Sequence, residues 1–226
     1  NISEPPRLTN SVVTGASASG IVALGYASVV DSTSSNNAGH GLECTSTASA
    51  YVSLSGTGLA GLRNRFTSNQ RSGLFLSGNV SLNGTWVELT QNGEYGGFFD
   101  VGTNGVSLSG VIVSGNRRDG LYAQNGDLSV TPFSGGGGST INTNGGSGIR
   151  VGSGDPLVTF NARLRLNALV GSRTIHSIST NDGGGIDVLG PLGFDGGANS
   201  VQSTTFTNNR GFGLRVSPGS TTPIRM

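Results

Sequence analysis

A repeating pattern of one asparagine, one glycine and paired aliphatic residues runs along the chain. With Gly148 as the reference, Asn144 lies four residues before it, and Ile149 and Val151 follow one and three residues after it. The apolar Ile141 precedes the same glycine by seven residues. Further copies of this frame are anchored at Gly20, Gly41, Gly73, Gly96, Gly120, Gly185 and Gly213. A motif that recurs in this way is typical of a solenoid, in which each copy forms one coil.

Three of the copies are degenerate. Ser34 stands where the first apolar residue belongs, and Ala16 stands where the asparagine belongs. Gly97 replaces the first aliphatic residue after its anchor, and we expect the large Phe99 beside it to fill the space. When these three copies are included, the repeat occurs eight times and predicts eight coils.

Each coil carries two further β-rich segments. Alternating triplets follow the glycine segment, as in Val52-Ser53-Leu54 and Val106-Ser107-Leu108, and a β-branched piece such as Val111-Ile112-Val113 leads to the next asparagine. Such alternation predicts short strands. The predicted fold is therefore all-β: a right-handed parallel β-helix solenoid of about eight coils with three short strands each. A leucine-rich repeat would need more leucines ahead of the asparagine.

The repeats cover about residues 8–218 of a single β-helix domain that occupies residues 1–226. Long insertions are expected near residues 52–62 and 156–173. In the second insertion Arg163 and Arg165 alternate with leucines, which predicts an extra strand with one charged face.

The recurring asparagines are predicted to be structural. A side-chain amide has both donors and an acceptor, so amides stacked at one corner can bond to each other and to the turn backbone. Asparagine also tolerates left-handed dihedral angles, and the anchor glycine is expected to supply a positive φ or a close approach of backbones. The predicted ladder consists of Asn37, Asn69, Asn92, Asn116, Asn144, Asn181 and Asn209.

The position two residues after each anchor glycine should face solvent, because side chains alternate along a strand. Three consecutive coils place Phe75, Phe98 and Tyr122 there, and the next three place charges of alternating sign. Exposed aromatic residues often mark interaction sites, so these three rings are the candidate contact stripe for a sugar or a protein. Two alternatives stay open: an insertion loop, such as residues 156–173, covers the rings, or the rings only stack on each other.

Composition and charge narrow the classes of function. Charged residues make up 11% of the 226 residues and the formal net charge is +1, which gives no electrostatic basis for binding nucleic acid or an anionic membrane. No apolar run reaches membrane-spanning length. The chain begins at Asn1, and its one methionine is Met226. We therefore expect a processed product or an excised piece of a longer protein.

Isolated reactive residues do not form a predicted catalytic or metal site. Asp182 and Asp187 are a carboxylate pair of the kind that works on glycosides, but turn and surface aspartates are common. His40 and His176 have no partner at ligand or triad spacing. Cys44 occupies an inward strand position and is expected to be an inert core thiol. No catalytic residue, metal or cofactor is predicted.

The frame Asn-x-x-x-Gly-aliphatic-x-aliphatic resembles the repeats of the pectate-lyase-like right-handed β-helix superfamily over about residues 8–218. Within it, Phe66-Thr67-Ser68-Asn69 and Phe206-Thr207-Asn208-Asn209 look like the Phe-x-x-Asn repeat of chlamydial polymorphic outer-membrane proteins. Gly183-Gly184-Gly185-Ile186 is similar to their Gly-Gly-Ala-Ile element. This resemblance implies a surface-exposed passenger or adhesin.

The enzymes of that superfamily are matched less closely. Gly39-His40-Gly41 and Asn181-Asp182 each resemble a short element of the polygalacturonases, but their order along the chain is reversed and the paired-aspartate element is missing. The acidic calcium-binding cluster of pectate lyases is not evident either.

The expected function is therefore a non-catalytic, secreted or cell-surface β-helix that presents a binding or adhesion surface as a passenger or stalk segment. The expected partner is a polysaccharide or a surface protein. The alternatives are a carbohydrate-active β-helix, either lyase or hydrolase, and a phage tail-fibre or spike module. An enzyme should show an acidic cleft, and a fibre should show an apolar seam along the axis.

Overall fold

A computed structural model shows a right-handed parallel β-helix, as the repeats predict. It describes residues 6–58, 61–132, 138–153, 162–166, 176–189, 199–201, 204–216 and 224–225. All strand pairs within these residues are parallel, and each strand pairs with its equivalents in neighbouring coils. Within the same residues, no helix has the length and apolar character needed to cross a membrane.

The strands form two continuous sheets that run along the axis. The smaller sheet has eight strands: β2 (Val12–Thr14), β5 (Thr33–Ser35), β7 (Asn64–Thr67), β9 (Val87–Thr90), β11 (Ile112–Ser114), β13 (Thr140–Asn142), β16 (His176–Ser179) and β19 (Thr204–Thr207). The larger sheet has thirteen: β1 (Arg7–Thr9), β3 (Ile21–Ala23), β4 (Ala27–Val30), β6 (Leu42–Ser55), β8 (Leu74–Thr85), β10 (Gly97–Ser109), β12 (Leu121–Thr131), β14 (Ser147–Val151), β15 (Ala162–Leu166), β17 (Gly184–Val188), β18 (Asn199–Val201), β20 (Leu214–Val216) and β21 (Ile224–Arg225).

The three predicted segments of each coil are present, but in the middle coils two of them belong to one bent strand. Strands β6, β8, β10 and β12 each contain the glycine segment and the alternating triplet. The bend coincides with register shifts, for example between Ser46 and Ala50. Gly78 and Gly126, with φ of +90° and +96°, supply backbone angles that other residues rarely adopt.

Both predicted insertions contain regular strand residues. Strand β6 extends to Ser55, so the regular coil continues into the segment predicted as an insertion near 52–62. The predicted extra strand is β15, and it pairs in register with residues 126–130 of β12 as an ordinary member of its coil. Leu164 and Leu166 are buried, and Arg165 is exposed. The rest of 156–173 lies outside the described residues.

The residues one and three positions after the anchor glycines form two axial columns of the core. The residues that follow the anchor glycines pair in register from coil to coil, and so do the residues two positions further on. At Gly97 the first column lacks a side chain, and a β-carbon there would lie 2.4 Å from the Phe99 ring. The Phe99 ring therefore fills the gap, as the sequence suggested.

The asparagine ladder is confirmed over all seven predicted residues. Each amide nitrogen donates to the side-chain oxygen of the next asparagine, at 2.8 Å from Asn37 to Asn69 and 3.0 Å from Asn181 to Asn209. Each backbone nitrogen donates to the same oxygen, as from Asn116 to Asn144 at 3.2 Å. From Asn69 onwards, each amide also donates back to a carbonyl of the preceding coil. One ladder side chain therefore joins three coils.

Two details of the corner differ from expectation. The left-handed residue is not the ladder asparagine but the one before it, such as Ser68 with φ of +56° or Thr143 with +51°. The anchor glycines do not have positive φ and are needed for close approach alone. A β-carbon at Gly41 would lie 2.7 Å from the Gly73 carbonyl oxygen and 2.8 Å from the Asn69 amide nitrogen.

Replacement of Asn144 by alanine should lower the free energy of unfolding by about 1–3 kcal/mol, because it leaves buried polar groups without partners. The lost contacts are the two bonds from Asn116 and the bonds that the Asn144 amide donates to Asn181 and to the Val113 carbonyl. Chemical denaturation measures the change. Asn142→Ala is the matched control, since this half-buried side chain lies outside the ladder. Equal stability of the two variants would contradict the structural role.

Candidate functional site

The candidate site is the outward row of the larger sheet. The register places Glu43, Phe75, Phe98 and Tyr122 side by side on adjacent strands, as the sequence predicts. The row continues through Arg150, Asp187 and Arg215. It therefore has an aromatic half and a charged half on one rigid sheet.

The three rings of the aromatic stripe, Phe75, Phe98 and Tyr122, are packed against each other. Phe75 and Phe98 are nearly parallel, at 8° between planes and 5.2 Å between centroids, and both are half-buried. Tyr122 meets Phe98 edge-on at 5.4 Å and is only 9% exposed. The stacking of the rings, foreseen as an alternative, is thus real. Phe75 and Phe98 are therefore partly accessible to solvent, whereas Tyr122 is almost fully buried.

Two residues just before anchor glycines, which were not predicted as part of the stripe, extend it. His40 stacks on Phe75 with centroids 4.5 Å apart. Tyr95 lies 5.5 Å from both Phe98 and Tyr122, and its hydroxyl accepts a hydrogen bond from Arg118 at 3.1 Å. His40 and Tyr95 both lie one residue before an anchor glycine. Alignment of the residues at that position in all coils would have identified them from the sequence.

The charged half is internally neutralised. Arg215 makes two hydrogen bonds to the carboxylate of the buried Asp187, at 2.8 and 2.5 Å, and its guanidinium also lies over the Phe212 ring. Arg150 lies over the Tyr122 ring at 5.3 Å and 3.8 Å from a carboxylate oxygen of Asp119. Bidentate pairing and cation–π contacts restrict the positions of side chains. This half is therefore a rigid, paired surface.

Burial raises the pKa of one group in the stripe and of one group next to it. It raises the pKa of Asp119, although the Ser147 backbone N–H donates to this carboxylate at 2.6 Å and Arg150 lies close by. Burial also raises the pKa of the Tyr122 hydroxyl. Because one oxygen of Asp119 accepts that short bond and the other faces Arg150, the arrangement favours a structural carboxylate over one that receives a proton from a substrate.

The structure does not bring together the other reactive residues considered from sequence. Asp182 is exposed at the corner and pairs with Arg210 at 3.6 Å, whereas Asp187 is buried against Arg215. His176 is buried at the start of β16, and burial raises the pKa of the Cys44 thiol. Among the described residues, no group of three or more His, Cys, Asp or Glu side chains is placed to hold a metal ion.

Two concave features lie on the larger sheet, one beside the aromatic half of the row and one at the first coil. A polar groove of about 430 Å³ follows the Phe75 and Phe98 strands at their corner and is lined by Asn79, Asp100 and Asn104, among others. An apolar cleft of about 610 Å³ lies at the first coil, where the core column ends at Ile21. Exposed apolar residues concentrate at this first coil, namely Val12, Val22, Leu24 and Tyr26.

The stability of the protein should depend on the protonation of His40. This ring is buried, and its Nδ1 accepts a hydrogen bond from the Ser72 N–H at 3.1 Å, so the bond requires an unprotonated Nδ1. Burial and then Arg71 lower the pKa of His40, against the opposing charges of Glu43 and Glu94. A depressed pKa gives stability that is complete above the unfolded value of about 6.5 and is lost as pH falls through the folded value.

The measurement is denaturant unfolding at about pH 7.5 and about pH 5.5, which bracket the unfolded pKa. The wild type should lose stability at the lower pH by more than His40→Asn, because an asparagine oxygen can accept the Ser72 bond without titrating in this range. Comparison of the two proteins removes the contribution of the carboxylates that they share. An identical pH dependence would contradict this role of His40.

Comparisons with known proteins leave the family of this chain open. No family model, curated protein or solved structure matches the sequence. The parallel β-helix and its asparagine ladder therefore stand on the strand pairing and hydrogen bonds of this chain alone.

Proposed function

We propose that this chain is a non-catalytic β-helix of the cell surface or the extracellular space, and that it presents a binding surface as a passenger or stalk segment. The observation that carries the proposal is the aromatic stripe with its flanking rings. Aromatic side chains that are held rigid lose little conformational entropy on binding, and exposed apolar patches often mark interaction sites.

The surroundings of the stripe suit a partner that is both apolar and hydroxylated. Asp100 follows Phe98 by two residues, and it lines the polar groove together with Asn79 and Asn104. Amide and carboxylate groups next to aromatic ring edges offer hydrogen bonds beside an apolar contact. A polysaccharide fits this combination, and so does a surface protein with a polar rim around an apolar centre.

The similarity of the repeats to the chlamydial polymorphic outer-membrane proteins supports the same placement. The Phe-x-x-Asn elements form the ladder corner here, with Phe66 fully buried and Asn69 in the ladder. These elements are therefore architectural in this chain, and the proposed surface location rests on the resemblance.

The alternatives are less well supported by the geometry. A carbohydrate-active enzyme needs a free acid and base, whereas the two carboxylates considered from the sequence, Asp182 and Asp187, are each ion-paired with an arginine. A side-by-side trimeric fibre needs an apolar seam along the axis, whereas four of the large exposed apolar residues of the described chain cluster at the first coil.

The test compares wild type with the Phe75→Ala/Phe98→Ala double variant on a glycan array and in binding to immobilised candidate surface proteins. We expect the variant to lose binding, because it removes the two partly exposed rings of the stripe while the inward columns stay intact. Tyr51→Ala is the control, since this aromatic residue is exposed elsewhere on the larger sheet. Retained binding by the double variant, with loss in Tyr51→Ala, would overturn the assignment.

A further inference from the structure

A second outward surface lies on the larger sheet, on the later parts of strands β6, β8, β10 and β12. Its inward residues, such as Val52, Leu82 and Leu128, are buried in the core. The outward positions between and after them are small and polar in four successive coils. We call this set the polar lattice: Ser53, Ser55, Asn83, Thr85, Ser107, Ser109, Ser129 and Thr131.

The polar lattice is regular in two directions. Ser53 pairs with Asn83, which pairs with Ser107, and the second column is built in the same way from Ser55 to Thr131. Every register shift of these strands lies before this segment. Neighbouring coils are thus about 4.8 Å apart, and the two columns are separated by about 6.6 Å, twice the rise per residue.

The side chains of the polar lattice have unused hydrogen-bonding capacity. The Ser109 hydroxyl donates to the Pro132 carbonyl at 3.1 Å. The other seven side chains make no side-chain hydrogen bond to the described part of the chain. Each hydroxyl and amide both donates and accepts. The lattice contains no charge, and Arg165 borders it next to Ser129.

This arrangement selects a particular kind of partner. Pockets for small molecules are concave, and their few polar groups converge on the ligand. Here small hydroxyl and amide groups point away from a sheet at fixed intervals, so a partner that is itself flat and periodic can engage many of them together. Uncharged groups that donate and accept equally match a partner made of hydroxyl-like donors and acceptors.

We propose that the polar lattice binds the ordered water layer of an ice surface. An ice face is flat, periodic and uncharged, and its water molecules donate and accept hydrogen bonds, as the groups of the lattice do. Strand pairing between the coils holds these groups in register. A crystalline polysaccharide is also flat and hydroxylated, but its recognition usually includes apolar ring contacts. The lattice itself contains no aromatic residue, although Tyr51 lies at one corner. This activity is separate from the aromatic stripe, which occupies the earlier parts of the same strands.

The experiment measures inhibition of ice recrystallisation and thermal hysteresis with the whole chain. Wild type should be active, and Ser107→Arg should lose the activity, because a long hydrated side chain in the middle of the lattice prevents flat contact. Arg165 already occupies the same column two coils further on, which indicates that this column accepts arginine. Thr85→Arg tests the second column independently.

Two controls separate the lattice from the rest of the molecule. Thr140→Arg places the same charge on an outward position of the smaller sheet, in the column that holds Arg65, and should keep full activity. The Phe75→Ala/Phe98→Ala variant should also keep it. Circular dichroism and thermal melting check that each variant is folded.

Inactive wild type would overturn the proposal, and so would activity in Ser107→Arg equal to that of Thr140→Arg. A parallel pull-down on insoluble cellulose and chitin addresses the other flat partner. Binding there that Ser107→Arg abolishes, without any effect of wild type on ice, would assign the lattice to a polysaccharide surface and likewise overturn the proposal.

Discussion

The close approach of each anchor glycine to the asparagine of the next coil is the constraint on which the whole solenoid depends. The space that a side chain would need at Gly120 holds the Asn144 amide nitrogen, 2.8 Å from where a β-carbon would be, and the Gly148 carbonyl oxygen at 2.5 Å. The Asn144 side chain is in turn held by the coils on both sides, through Val113 and Asn116 on one side and Asn181 on the other. The glycine makes room for the ladder, and the ladder fixes the register of the glycine strand.

A fixed register converts sequence offsets into axial rows. Since every coil is aligned at the same corner, a position counted from the anchor glycine has the same direction in each coil, and neighbours in that row are one strand apart. The row two residues after the anchor carries Phe98 and Asp187. Rows on the later parts of strands β6, β8, β10 and β12 carry the small polar residues. A binding surface in such a protein is therefore formed by equivalent positions of successive coils. These positions are far apart in the sequence, so no continuous motif marks the surface.

This also explains what the sequence could predict. The core columns, the ladder and the outward row follow from offsets alone, so they were predictable residue by residue. The burial of Tyr122 was not, because it depends on Tyr95 and Arg150, which reach it from other rows and coils. Nor were the bent strands, since hydrogen bonding around a corner depends on glycine angles such as that of Gly78. The left-handed residue before each asparagine was missed because Ser68, Gln91 and Thr143 share no residue type.

Because the glycine and asparagine contacts fix the coil, the same core can carry outward surfaces of different chemistry. Only inward positions and the corner are fixed by packing, so outward rows can change without loss of the ladder or the core columns. The stacked rings of the aromatic stripe lie on three of the four strands that carry the small residues of the polar lattice, and one corner separates the two surfaces. On the glycine segments, side chains of different rows pack against each other, and Arg150 contacts both Asp119 and Tyr122. The side chains of the polar lattice are too small to reach from one row to the next. The spacing of that surface is therefore set by the hydrogen-bonded pairing of the strands.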